Sequence, residues 1–173
     1  ELLIVIAIIG IIVSMALLSL GLLGDDRQLQ TEARRIMALI EVAEDEATMQ
    51  GRDFGIEFMQ TSYRFVEWDP FTENWAELIG DDTLRLRSLP EDAEFDLFLE
   101  DKRIVLELDP QAFEDPEDDR PMGLAEDYAP HLFLFSSGDT VPFELHVFND
   151  LNDQLVVIRR DELGNMEVAQ DED

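Results

Sequence analysis

Cysteine is absent from the 173-residue chain, which excludes a disulfide framework and thiol chemistry. Lysine is nearly absent too. Lys102 stands alone, and 12 basic residues face 41 acidic ones for a net charge of −29. Such a surface repels the phosphates of nucleic acid and disfavours lying flat on anionic lipid. His131 and His146 are the two histidines. Neither belongs to an H-x-x-x-H or H-E-x-x-H spacing, and both read as packed or surface residues. There is no glycine-rich phosphate loop and no G-x-S-x-G elbow around Ser136 and Ser137. Carboxylates are too numerous for any pair to signal acid–base work. The residues nominate no active site, no metal site and no cofactor.

Proline is missing from residues 1–50, and no charge occurs between Leu2 and Gly24. A helix over those 23 residues would be about 34 Å long, against a hydrocarbon core of about 30 Å. Within lipid the backbone must bond itself, so a single span is a helix. A secretory signal peptide has a basic start, a shorter apolar centre and a small-residue cleavage site; this segment has none of these. A buried core helix would need apolar surroundings that no other segment provides. The segment reads as a membrane helix with a polar domain beyond it. Arg27, Arg34 and Arg35 are offset by Asp25, Asp26 and Glu32, which places that domain on the non-cytoplasmic side.

Beyond Gly24, apolar residues recur at Leu29, Ala33, Ile36, Ile40, Ala43 and Ala47, an amphipathic helical stripe that packs on the chain's own domain. Gly51 is the expected C-cap. The spacing predicts one helix of about 50 residues: a membrane half, 1–24, and an amphipathic half, 25–51. Gly21 and Gly24 are weak points between them. After Gly51 the period changes to two. Residues 54–68 read as a hairpin, with Phe54, Ile56 and Phe58 on one face and Gly55, Glu57 and Met59 on the other. Further strands are expected at 84–87, 94–100, 103–108, 131–135, 141–148, 155–160 and 166–169, separated by turn signals. One long helix followed by one or two antiparallel sheets is an α+β fold, with residues 52–173 as the globular domain. Phe54, Phe58, Phe65, Phe95, Phe133, Phe135 and Phe143 are its expected core.

Residues 109–130 fit no element. They hold eight acids and four prolines and read as a long solvated loop. Asp115, Glu117 and Asp119 alternate like the first ligands of an EF-hand, but the glycine due at the sixth position is missing and Arg120 and Pro121 follow, so a solvated loop is the better reading than a calcium site.

Glu1 stands at the head of the apolar segment, where a charge is costly unless paired. The opening "ELLIVIAIIGIIVSMALLSL" resembles the N-terminal segment of type IV pilins and type II secretion pseudopilins. Glu1 matches the family's glutamate near the mature N-terminus; the leader and first mature residues lie outside this sequence. "QGRDFGIEF" (50–58), "YRFVEW" and "FLFSSGDTVPFELHVF" (133–148) look like the minor pseudopilin H class, whose motif residues here would be Gly51, Arg52, Phe54, Gly55, Ser137, Gly138, Pro142 and Phe143. The acidic tail "AQDED" suits it. The proline that many members carry in the outer part of the membrane helix is absent.

The resemblance implies a structural subunit rather than an enzyme. It would be processed by a prepilin peptidase, methylated, and held in the inner membrane by one span with its domain in the periplasm. It would then enter a pseudopilus beside the major pseudopilin and the minor pseudopilins of the I, J and K classes, near the tip. Leu2, Leu3, Ile4, Val5, Ile8, Ile9 and Ile12 would pack in the filament core, and Glu1 would pair with a neighbour's N-terminal amine. Three other readings stay open, one of them a tethered enzyme, for which the residues offer no catalytic constellation. A minor pilin of a type IV pilus shares the helix, though many carry a C-terminal disulfide. A membrane-anchored binding module that never polymerises leaves Glu1 unexplained.

Overall fold

A stripe recurring every three or four residues must be gathered on one side of a helix, and the fold is built against that side. The computed structural model describes residues 2–78, 80–111, 113, 128–149, 151 and 153–170, without the side chains at 2, 3, 7, 12–26 and 170. Helix α1 runs over Leu2–Gln50. Gly51 then takes φ 65°, and the Arg52 N–H donates to the Ala47 carbonyl at 3.1 Å. This six-to-one bond closes the last turn, and glycine suits the left-handed conformation it needs. Ala33, Ile36, Ile40, Ala43 and Ala47 are wholly buried, and Leu29 nearly so.

Among the described residues ten strands follow: β1 (Phe54–Phe58), β2 (Ser62–Asp69), β3 (Asn74–Glu77), β4 (Arg87–Ser88), β5 (Glu94–Leu99), β6 (Lys102–Ile104), β7 (Leu132–Leu134), β8 (Phe143–Asn149), β9 (Gln154–Arg160) and β10 (Met166–Gln170). They form two five-stranded sheets. The first has the order β3-β2-β1-β7, with β4 also on β2; the second is β10-β9-β8-β5-β6. Every pairing is antiparallel. Strand β8 shows the logic most plainly. Phe143, Leu145 and Val147 are buried, while Glu144, His146 and Phe148 alternate with them at intermediate exposure. The α+β expectation with antiparallel sheets holds, and the 54–68 hairpin forms as expected.

Several expectations are corrected. The 84–87 strand shrinks to a two-residue pairing at Arg87–Ser88, because the Asp81 carboxylate accepts the N–H groups of Thr83 and Leu84 at 2.7 and 3.0 Å and holds a turn there. The 103–108 strand stops at Ile104. Beyond it the chain leaves the second sheet and bonds Gln60 instead, the Gln60 N–H reaching the Glu107 carbonyl at 2.9 Å. Strand β3 was not anticipated, since four residues are too few to show alternation. In 131–135 the inward side chains are Leu132 and Leu134, not Phe133 and Phe135; Phe135 is 36% exposed. The register decides this. Leu132 pairs with Ile56 and Leu134 with Phe54, the β1 residues of the core-facing set. The other five expected phenylalanines are buried.

The expected span, 1–24, falls mostly on undescribed side chains, and among the described residues no helix is long and apolar enough to cross a membrane. Most of the 109–130 loop, including Asp115, Glu117 and Asp119, lies outside the described residues.

The buried alanines set how closely the sheets approach the helix. Ala43→Leu adds a branched side chain where there is no room, and should cost about 2 kcal/mol. Thermal unfolding should show this as a midpoint about 5 °C lower, while Val42→Leu, on the exposed side, should leave it unchanged.

Candidate assembly surfaces

The helix presents two different surfaces. Toward its start, Ile4, Val5, Ile8 and Ile9 are each more than half exposed, an apolar surface that the other described residues leave uncovered. The side chains of Leu2, Leu3 and Ile12, and the whole of Glu1, lie outside the described residues. Toward its end, the helix is fastened to both sheets by charge as well as by its stripe. On the first sheet the Tyr63 hydroxyl donates to Glu32 at 3.2 Å, and Arg35 donates to the same carboxylate at 2.8 Å. Burial, then the Glu32 charge, pushes the Tyr63 phenol well above its ordinary range, so it stays a donor. On the second sheet Arg160 grips Glu44 in fork geometry, at 2.5 and 2.7 Å, with its guanidinium 5.6 Å from the Phe143 ring centroid.

The G-R-D-F-G and S-S-G-D segments, far apart in the chain, meet beyond the end of the helix. Arg52 is ion-paired to Glu67 and lies over the Phe54 ring at 5.7 Å. Asp53 makes the junction. Its carboxylate accepts the Ser136 N–H at 2.7 Å, and its carbonyl accepts the Trp68 N–H at 2.9 Å. The adjoining turn is closed by the Gly138 N–H on the Phe135 carbonyl at 2.9 Å, with Gly138 at φ 81°, and Ser137 donates to Asp139 at 2.8 Å. Gly55 is required by contact rather than by conformation: a Cβ there would lie 2.3 Å from Pro130 Cγ. Pro142 and Phe143 belong elsewhere, at the start of β8 in the second sheet. The motif residues therefore form two groups and not one site.

Residues that the sequence reading passed over organise the outer face of the first sheet. Glu57 lies on the face of β1 opposite Phe54, Ile56 and Phe58, as its alternation implied, and is 2% exposed there. It faces Arg64 in register, and the two form an ion pair at 2.5 Å. Both ends of the acidic loop then settle on this pair. The Gln111 N–H donates to Glu57 at 2.8 Å while its carbonyl accepts from Arg64 at 2.5 Å. The Tyr128 hydroxyl donates to Glu57 at 2.9 Å. Phe113 and Tyr128 cover the guanidinium, at 4.3 and 5.7 Å from their ring centroids. Every strong polar group in the cluster is thus partnered, as burial demands. A carboxylate directly opposite an arginine across a hairpin was the signal available in the sequence.

Both histidines are partnered. His131 Nδ1 accepts the Phe58 N–H at 3.1 Å. Burial holds its pKa below the ordinary 6.5, with nearby Glu57 opposing. His146 contacts Glu144 at 2.6 Å, a carboxylate held below its usual range by His146 first and Arg159 second.

No protein-family model matches the chain. It is 31% identical over 147 residues to type II secretion system protein H of Pseudomonas aeruginosa, a match covering 85% of this chain and 78% of that protein. It is 28% identical over 177 residues to the protein of the same name from Aeromonas hydrophila, covering all of this chain and 92% of the relative. Among solved structures, the minor pseudopilin EpsH from the type 2 secretion system of Vibrio cholerae superposes with a TM-score of 0.61 at 19% identity, over 84% of this chain and 99% of that one. A crystal structure of the same minor pseudopilin gives 0.62 at 22%, over 86% and 98%. The solution structure of E. coli GspH gives 0.58 at 18%, over 84% and 90%. At these identities the solved structures establish the fold.

His131 makes the cluster sensitive to acid. Its folded pKa lies below the unfolded value, so the folded state resists a proton that the unfolded state accepts. Its stabilisation is full above about pH 6.5 and declines as pH falls below that. Asn at 131 retains an acceptor and does not titrate. Denaturant melts from pH 7.5 to 5 should show a shallower loss of stability for His131→Asn than for the parent chain. Parallel curves would show that His131 does not contribute.

Proposed function

The chain belongs to the type II secretion system protein H family, and from that premise we propose that it works as a membrane-anchored structural subunit near the tip of the pseudopilus. It is a minor pseudopilin, a component of the periplasmic filament that serves protein secretion. Residues 2–24 hold it in the inner membrane by a single span until assembly, and a prepilin peptidase processes it beforehand. In the filament the apolar helix packs against the same segment of neighbours, the major pseudopilin below and minor pseudopilins of the I, J and K classes. No chemistry is asked of it.

The observation that carries this reading is the division of α1. Ile4, Val5, Ile8 and Ile9 are exposed along the apolar start, while the later half is locked to both sheets through Glu32 and Glu44. Apolar side chains exposed along a helix, as these four are, need lipid or other helices around them. A locked second half makes the globular domain move with the helix when the helix leaves the membrane.

Glu1 is the residue whose role this arrangement sharpens. In the filament it pairs with the N-terminal amine of a neighbouring subunit. Loss of one partner from a buried ion pair costs about 3 to 5 kcal/mol, whereas removing a charge from an apolar span does not hinder insertion. Glu1→Ala should therefore insert normally, yet lose crosslinking to the major pseudopilin and fail to restore secretion in a deletion strain. Glu1→Gln should be impaired as well, and Glu1→Asp partly. Normal crosslinking and secretion by both Ala and Gln variants would remove the pairing role.

A further inference from the structure

The outer face of the first sheet carries a row of aromatic rings that neither the core nor the loop anchors use. Trp68 and Trp75 face each other across β2 and β3, with ring centroids 5.5 Å apart. Trp75 continues to Phe133 at 5.7 Å, and Phe133 stacks on Phe135 at 5.9 Å and 7°. Val66, on the same face of β2 as Trp68, is wholly buried, while the members of the row stay partly exposed. At the tip of the β2–β3 hairpin Phe71 is 95% exposed. Single exposed apolar side chains are ordinary, but a contiguous run of rings on one face marks a contact surface.

The charges around the row say what kind of surface it would meet. Glu77, two residues after Trp75 on the same face of β3, is exposed, as is Glu73 at the hairpin. Asp69 stays ionised, its carboxyl held low mainly by the Phe71 N–H. Arg52, at the same end of the fold, is already tied to Glu67. Indole faces are electron-rich and attract guanidinium and ammonium groups, arginine above all because it also stacks. Carboxylates at the rim add to that attraction, and a net charge of −29 steers cations toward the molecule. We propose that this aromatic row is the docking surface for an arginine-bearing face of a partner protein, whose guanidinium groups lie over Trp68 and Trp75 with Phe71 as an apolar flank.

The chain has two tryptophans, both in the row, so intrinsic emission reports this surface alone. The full chain in nonionic detergent would be titrated with a capped oligo-arginine peptide at physiological salt, beside a capped oligo-serine control. Saturable change in tryptophan emission is expected with arginine and none with serine. Calorimetry should show affinity weakened about five- to tenfold by Trp75→Leu, and about threefold by Phe71→Ser. Phe71→Ser alters a side chain so exposed that folding is not at stake. Calorimetric binding that leaves the emission unmoved, or that is equal in both variants and the parent, would overturn the proposal in favour of diffuse attraction to the acidic surface.

Discussion

Everything else in the fold depends on how closely two sheets can approach the second half of one helix. The stripe Ala33, Ile36, Ile40, Ala43, Ala47 is wholly buried. Three of its five members are alanine, the smallest side chain that still favours a helix. Small residues bring strand and helix backbones together, and the larger core side chains, Phe54, Phe58, Phe65 and Phe95, close the gaps around them. Dispersion and apolar burial at such a seam fall off steeply with distance. The polar fastenings at Tyr63–Glu32 and Arg160–Glu44 are then set within bonding distance by the stripe. They add orientation more than energy, since a buried ion pair recovers little beyond its desolvation cost.

The outer face of the first sheet meets a second constraint. A strand with Glu57 on its outer side should face water, yet all five residues of β1 are buried. The Glu57–Arg64 pair makes that burial tolerable, because the Gln111 backbone and the Tyr128 hydroxyl complete its hydrogen bonds. Gly55 lets Pro130 lie directly on the sheet, and the aromatic row covers the remainder. Among the described residues the carboxylates lie outside the core, apart from Glu32 and Glu57, which are bonded.

The helix was legible because its signal is long and local: a 4-3-4 spacing, no proline, and a glycine at the end. The hairpin was legible for the same reason. Segment 131–135 was misread because it is apolar at nearly every position, so period two gives two sets of residues without saying which faces the helix; only pairing with Ile56 and Phe54 decides. Strand β3 escaped because its stability comes from Trp68 across the hairpin, not from its own four residues. The Glu57–Arg64 cluster escaped because its last partners come from more than 45 residues away. Family membership was readable from the opening segment and the G-R-D-F-G and S-S-G-D stretches. Asp53, which joins those stretches, gave no signal of its own, because its partner at Ser136 is 83 residues away.

The proposed role asks a helix whose sequence is apolar at one end, and which is locked into a domain at the other, to pass from lipid to a helical filament and carry its domain unchanged. The most direct test of that role is export itself. In a strain lacking this chain, folded substrates of the type II pathway should accumulate in the periplasm. Expression of the full chain should return them to the medium, and residues 25–173 alone should not. Undiminished secretion in the deletion strain, or full rescue by residues 25–173, would contradict the account.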